Sequence, residues 1–352
     1  MVIRPVKLGD LDDLLELAGM AGFGLTTLPK DRELLRKRIV KSQRSFENLG
    51  DEPGGENCLF VMEDRETGKI VGTCGIVSKV GGFEPFYAYR VETSVHQSAD
   101  LGVRKEIRTL HLVAEHNGPA EICSLFLSPA YRKDGNGRLL SLSRFLFMAE
   151  HPQAFDPLVI AEMRGVIDDA GRSPFWDALG KHFFEVELPK ADYLSIINKR
   201  FIADLMPKHP IYIPLLPPEA QKVIGQVHQQ TLPALKLLEG EGFHLNGHVD
   251  IFEGGPVVIC PLARIRSVRD SRAATVGEVT DRPVESEWHI IANTRADYRA
   301  VQDKIETAAD GGVRLSRRVA TMLEVAVGDT VRYVPSKPPP VRPEPDEGLT
   351  SL

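Results

Sequence analysis

The sequence has no apolar run near the roughly 20 residues that a helix needs to cross a bilayer, which argues against a membrane protein. Its start, residues 1–10, lacks the apolar stretch of a secretory signal peptide and reads instead as a short strand. Cysteine is scarce: only Cys58, Cys74, Cys123 and Cys260 are present. None belongs to a C-x-x-C pair, and each sits among strand-like apolar residues, so neither a disulfide framework nor a thiolate metal site has its signature. Buried free thiols in a reducing compartment, with the cytoplasm as location, are expected. An excess of positive charge is also missing. Lys and Arg number 43 against 49 Asp and Glu, for a net charge of -6. The chain therefore shows no overall basic character of the kind that nucleic-acid binding uses. A metal-ligand pattern is nearly absent as well. His244 and His248 stand four apart, but Asn246-Gly247 between them marks a turn rather than a helix face. No third ligand accompanies them, so no metal is expected.

What is present describes an ordinary soluble globular chain. It has 352 residues, 42% hydrophobic and 26% charged, enough for one large or two modest domains. Residues 2–6 read as a strand. Asp10 follows as a helix N-cap, with Leu11, Leu14, Leu15 and Ala18 on one helical face. A loop over residues 22–29 leads to a second amphipathic helix, whose Leu34, Leu35, Arg38, Ile39 and Ser42 share a face. A hairpin pairs residues 58–63 with 70–77, and strands are predicted at 86–95, 120–127 and 158–163. The spacing predicts helices over about 138–150, 175–181, 192–205 and 218–224, and around 235–239. A further strand is expected at 183–188. Segments 175–183 and 233–243 look alike and suggest a faint repeat. From Val249 onward the chain reads as strands, and 335–352 is a proline-rich, charged tail expected to be disordered.

One stretch carries chemistry. Cys123-Ser124-Leu125-Phe126-Leu127-Ser128-Pro129 is a strand end. The turn Arg132-Lys133-Asp134-Gly135-Asn136-Gly137 follows, and a helix begins near Arg138. Helix N-termini present unpaired N–H groups and the positive end of the dipole. Glycines let backbone close around an anion, so the R-x-x-G-x-G spacing is that of a pyrophosphate cradle. The dinucleotide fingerprint fails because Leu140 stands where its third glycine belongs, and a P-loop fails for want of G-K-[ST].

This segment, with the strand–helix–helix–hairpin–strand order before it, resembles the GNAT superfamily of acyl-CoA N-acyltransferases. That resemblance implies an α/β (α+β) fold: a mixed central sheet flanked by helices, with a further helical and β-rich region toward the C-terminus. It implies a GNAT-like acyl-CoA-binding domain over 1–190 and a second domain over 191–334. It also implies that the turn's amides hold the coenzyme A pyrophosphate, while the preceding strand splays from its neighbour and pairs with the pantetheine arm. Further blocks narrow the resemblance. Gly24-Leu25-Thr26-Thr27-Leu28-Pro29, Ala161-Glu162-Met163-Arg164-Gly165, Ser173-Pro174-Phe175-Trp176, Gly225-Gln226-Val227-His228 and Asp250-Ile251-Phe252-Glu253-Gly254-Gly255-Pro256 are similar to the arginine/ornithine N-succinyltransferase family. The similarity runs from Met1 to about Val334. Gln229 departs from it, standing where a proline is common.

The family resemblance implies succinyl transfer from succinyl-CoA to the α-amino group of L-arginine. Succinyl-CoA would be a co-substrate, with no permanently bound cofactor. His228 matches the family's proton-donating histidine, and histidine titrates where such a role needs it. Leu125 matches a donor-contacting position, and Phe126, Leu127, Arg132, Gly135, Asn136 and Gly137 complete the donor site. Glu162 and Arg164, at the end of the strand after the cradle, are candidate substrate-binding residues, since arginine and succinate need an acid and a base to pair with. Related chains form pairs of similar subunits, so a homo-oligomer or a heteromer is expected. Ornithine preference, and a catalytically silent acyl-CoA-binding subunit, remain alternatives.

Overall fold

The computed structural model describes residues 1–22, 25–309 and 311–338. Strand β1 (Val2–Pro5) leads to α1 (Leu11–Met20) and α2 (Arg32–Glu47). Residues 23 and 24 of the intervening loop lie outside the described residues. Asp10 stands at the N-cap position of α1 but does not cap it: its carboxylate takes the Arg4 guanidinium at 2.8 and 2.9 Å and the Lys7 amide at 2.7 Å. A bidentate charge-assisted pair outcompetes a helix amide. Asp31 does cap α2, accepting from Leu34 N at 2.9 Å. Strands β2 (Asn57–Glu63) and β3 (Ile70–Val77) form the expected hairpin.

The next pair differs from expectation. β4 (Gly81–Ser98) and β5 (Val103–Asn117) make one long ribbon closed by the Ser98–Val103 pair. The predicted strand at 86–95 is only the middle of β4. The outer part of β5 has no sequence signal because Arg104, Lys105 and Glu106 are all exposed; only the inner part alternates, with Leu110 and Leu112 turned to the core. β6 (Ala120–Leu127), α3 (Asn136–Glu150) and β7 (Leu158–Glu162) lie close to where the sequence places them.

A helical stretch follows: α4 (Pro174–Ala178), α5 (Gly180–Phe184), α6 (Leu188–Ile197), α7 (Arg200–Leu205), the short β8 (Ile211–Tyr212) and α8 (Pro218–Val223). The strand expected at 183–188 does not form. Phe184 and Leu188 are instead buried in a cluster around Trp176, which stacks on Phe184 at 5.4 Å. The two segments of the suggested repeat continue differently: after 175–183 the chain stays helical, whereas α9 (Leu232–Gly240) runs into β9 (His244–Val249). The chain ends through β10 (Pro256–Pro261), α10 (Arg266–Arg269), β11 (Arg272–Thr280), β12 (Trp288–Asn293), β13 (Ala300–Lys304), β14 (Glu306–Thr307), β15 (Val313–Ser316), α11 (Arg317–Leu323) and β16 (Thr330–Pro335).

The described strands join in one mixed 16-stranded sheet, ordered β14-β15-β11-β16-β12-β13-β1-β2-β3-β6-β7-β10-β9-β4-β5-β8. It is the mixed, helix-flanked α/β sheet anticipated from the sequence. α1 and α2 cover one face, where Leu14, Leu35 and Ile39 meet Leu59 and Val61. α3 covers the other, where Phe145 and Phe147 meet Phe60 and Cys74. The strand side chains alternate between these layers. The ladder crosses the boundary expected between residues 190 and 191: β10 pairs with β7 from Val257–Glu162 to Pro261–Leu158, and β13 meets β1 at Ile3–Ala300. The first residues of the expected tail are part of the fold. Pro335 ends β16, and the buried Ser336 donates its N–H to the Trp288 carbonyl at 2.8 Å. Residues 339–352 lie outside the described residues. No described helix is long and apolar enough to cross a membrane.

Candidate active site

β6 and β7 are parallel neighbours but pair only at Ala120–Val159 and Glu121–Ile160, and then part. The cause lies in β6. Between the pairs Gly75–Cys123 and Thr73–Phe126 it carries one residue more than β3, and Ser124 adopts a left-handed φ of 55°. Such a bulge bends a strand away from its neighbour. β7 meanwhile follows β10. A cavity of about 940 Å³ fills the gap. Cys123 to Leu127 wall it on one side and Ala161 to Arg164 on the other; Ala21 and Leu25 also line it, as do Arg132, Gly135, Gly137 and Arg138 from the turn.

At the turn, Asp134 and Gly135 both take left-handed conformations, with φ of 54° and 80°, and reverse the chain into α3. The left-handed φ is what favours glycine at Gly135; a Cβ there would also displace the end of the Gln302 side chain, 2.6 Å away. Gly137 is different: a Cβ would meet nothing nearer than Leu127 at 4.0 Å. Its open side, and the first-turn amides of Gly137 and Arg138, which have no acceptor among the described residues, leave room and donors for an anion. Arg132 donates through Nε to the Leu127 carbonyl at 3.0 Å and lies 5.8 Å over the Phe126 ring, pinning the turn to β6. Asn136 is buried and donates to the Tyr131 carbonyl at 3.1 Å, so its side chain shapes the turn rather than facing the cavity. Leu125 and Phe126 are half-buried and Leu127 is buried; all three line the cavity.

At the other wall, Glu162 is open to solvent from the cavity but ringed by protein, and it makes no hydrogen bond or ion pair among the described residues. That enclosure, then Glu121 and Asp250, holds its carboxyl well above the usual range. Arg164 is half-buried with an unpartnered Nε, and its carbonyl accepts the His228 amide at 2.9 Å. His228 itself does not line the cavity; Arg164 and Gln230, which flank it, do. Its Nδ1 accepts from Gln230 N at 3.2 Å, and the ring has a backbone hydrogen bond with Ile167. Burial first, then the Arg164 charge, lowers its pKa, which favours neutral imidazole. Beneath Arg164, Glu253 accepts Gly165 N at 2.9 Å, and burial followed by Asp250 pushes its carboxyl up to about 8. His244 and His248 lie on β9, and no group of three or more metal-ligating side chains occurs among the described residues. All four cysteines are free. Cys123 lines the cavity, and burial pushes its thiol up to about 11.

Residues 1–267 match the family model described as the arginine N-succinyltransferase beta subunit, and residues 272–335 match the model of its C-terminal domain. The chain belongs to the arginine N-succinyltransferase family. It is 48% identical over 339 residues to arginine N-succinyltransferase of Enterobacter sp. (strain 638), covering 95% of this chain and 97% of that one. The protein of the same name from Escherichia coli O6:K15:H31 is 44% identical, with the same coverage. The solved arginine/ornithine succinyltransferase subunit AI of Pseudomonas aeruginosa superposes with a TM-score of 0.87 at 35% identity, over 96% of this chain and 99% of that one.

In this member of the succinyltransferase family, several residues at the cavity had no site role assigned from the sequence. Ser124, Arg144, Lys236 and Glu241 line the cavity, and Arg38 reaches Ser124 from α2. Two left a signal. Arg38 shares a face with Leu35 and Ile39, and Arg144 interrupts the apolar run from Leu142 to Met148. A charged residue at a core position is informative because burying it is costly.

Proposed function

We propose that this chain transfers the succinyl group of succinyl-CoA to the α-amino group of L-arginine. The observation that carries the reading is the cavity between β6 and β7, which joins the free amides at the start of α3 to Glu162 and Arg164 on the opposite wall. It is supported by the family and by the activity named for relatives matched along nearly their whole length. The donor's pyrophosphate lies on the amides of Gly137 and Arg138. Its arm runs along the edge of β6 that β7 leaves unpaired, as an added strand would. Arginine enters from the Glu162 and Arg164 wall, where an acid and a base pair with its cationic and anionic groups.

The amine nitrogen attacks the thioester carbon, the C–N bond forms, and the C–S bond breaks as the tetrahedral intermediate collapses. Neutral His228 takes the proton that the amine must lose, and the imidazolium passes it to the departing thiolate. Because the Gln230 N–H now occupies Nδ1, that contact opens as the proton arrives.

The test is a matrix of succinyl-, acetyl- and glutaryl-CoA against arginine, ornithine and lysine, with thiol release followed over time for the chain alone. Succinyl-CoA with arginine should be the fastest pair. Faster turnover with ornithine would transfer the assignment to that amine, and no turnover with any pair would leave an acyl-CoA-binding subunit.

A further inference from the structure

We infer that Arg38 and Arg144 are positioning residues that clamp the β6 bulge from the two faces of the sheet and so hold open the gap that receives the acyl donor. The inference rests on the donor-binding reading above and concerns what keeps that site in shape.

Arg144 lies in the middle of α3, only 2% exposed, with no carboxylate partner among the described residues. A buried guanidinium without a counter-charge persists only where it satisfies many acceptors at once. Here every donor group meets oxygen. Nε reaches the Ser141 carbonyl at 3.0 Å and Nη2 reaches Ser141 Oγ at 3.2 Å. Nη1 reaches the carbonyls of Gly75 at 3.4 Å and Cys123 at 3.3 Å. Gly75 and Cys123 are the β3–β6 pair at which the register slips. Arg144 therefore binds both strands at the edge of the bulge.

From the opposite face, Arg38 on α2 donates Nη2 to Ser124 Oγ at 2.8 Å. Ser124 is the bulged residue, held at a φ of 55° that a non-glycine residue adopts only when its surroundings enforce it. Arg38, too, has no ion pair among the described residues. Removing the clamp lets β6 relax toward regular pairing with β3. A one-residue slip would turn Leu125, Phe126 and Leu127 to the opposite faces and close the side of the gap that they line. Neither arginine needs to touch the donor; both act through β6.

Arg38→Met, Arg144→Met and Arg144→Lys keep the aliphatic stems. Ser124→Gly removes the acceptor of Arg38 at a φ that glycine tolerates, so it stays folded even if Arg144→Met does not. For each, coenzyme A binding by titration calorimetry is measured beside the KM values for succinyl-CoA and arginine. The loss of one or two bonds predicts a donor KM and a coenzyme A dissociation constant raised about tenfold in the Met variants. The arginine KM should stay near wild type, Arg144→Lys should recover part of the loss, and Ser124→Gly should shift the donor constants in the same direction as Arg38→Met. A purely structural role would lower the active fraction and move neither KM. Wild-type coenzyme A binding together with unchanged donor constants in the folded variants would overturn the clamp alone. A wild type that binds no coenzyme A would overturn the donor-site reading and the clamp with it.

Discussion

The proton-transfer role turns on one imidazole. Burial and Arg164 hold the His228 pKa below the ordinary histidine value of about 6.5. As the residue that receives the amine's proton, it is active when neutral. Activity therefore persists as pH falls through 6.5 and is lost only through the lower, folded-state pKa. The acid limb of kcat against pH should lie below about 6.5 in the wild type and vanish in His228→Ala, with kcat lowered about 10²–10⁴-fold and succinyl-CoA affinity nearly unchanged. A wild-type rate that instead climbs as pH falls would make the protonated ring the active form. His228→Ala with normal kcat would leave the residue a helix cap, since Nδ1 already accepts the Gln230 amide. Sequence pattern alone could not have chosen this histidine among ten. The block Gly225-Gln226-Val227-His228 did so through family resemblance, and the structure puts it beside Arg164 rather than in the cavity wall.

At the scale of the element, the strand–turn–helix from β6 to α3 was the most legible part of the chain. Its glycines and its apolar strand are local features. Gly137→Val should fold, because an added Cβ meets no protein atom closer than Leu127 at 4.0 Å and so points into open space. It projects where an anion would approach the helix amides, so the donor KM should rise at least tenfold, the loss of one charge-assisted bond being about 1.5–3 kcal/mol. Kinetics with varied succinyl-CoA checks this, and an unchanged donor KM in the folded variant would argue against a phosphate cradle. The β4–β5 ribbon was much less legible, only part of β4 having been anticipated. Its outer half buries neither face, so nothing in the side-chain pattern marks it as strand, and only backbone pairing defines it.

At the scale of the whole molecule, the wall of the cavity is tied to the last strand by a buried ion pair. Arg266 donates to Glu241 Oε1 at 2.9 and 2.7 Å and to the Pro335 carbonyl at 2.9 Å, while Glu241 Oε2 accepts Ser267 N at 2.7 Å. Both side chains are nearly inaccessible. Glu241→Ala would leave the guanidinium buried and uncompensated, at a cost of about 3–5 kcal/mol. Urea unfolding should show that loss as a lower midpoint, and Glu241→Gln, which keeps an acceptor, should lose less. A midpoint unchanged in Glu241→Ala would mean that water or a neighbour satisfies Arg266. This pair was invisible in the sequence, where residues 241 and 266 are just two charges 25 positions apart.

The sequence by itself determined what short-range chemistry can encode: α1, α2, α3, the β2–β3 hairpin, the free thiols, and the glycine turn with its helix amides. Apolar spacing and turn residues act within a few positions, so these elements are readable without their neighbours. Only the tertiary structure decided that β10 from the second half would lie against β7, so that the ladder runs through the expected domain boundary. It also decided that β6 would bulge at Ser124 and part from β7, because that geometry depends on carbonyls and hydroxyls met by Arg38 and Arg144 from separate helices. The cavity is a property of that parting. No single segment contains it, since its walls come from β6, β7, α3 and α9, which meet only when the sheet is assembled.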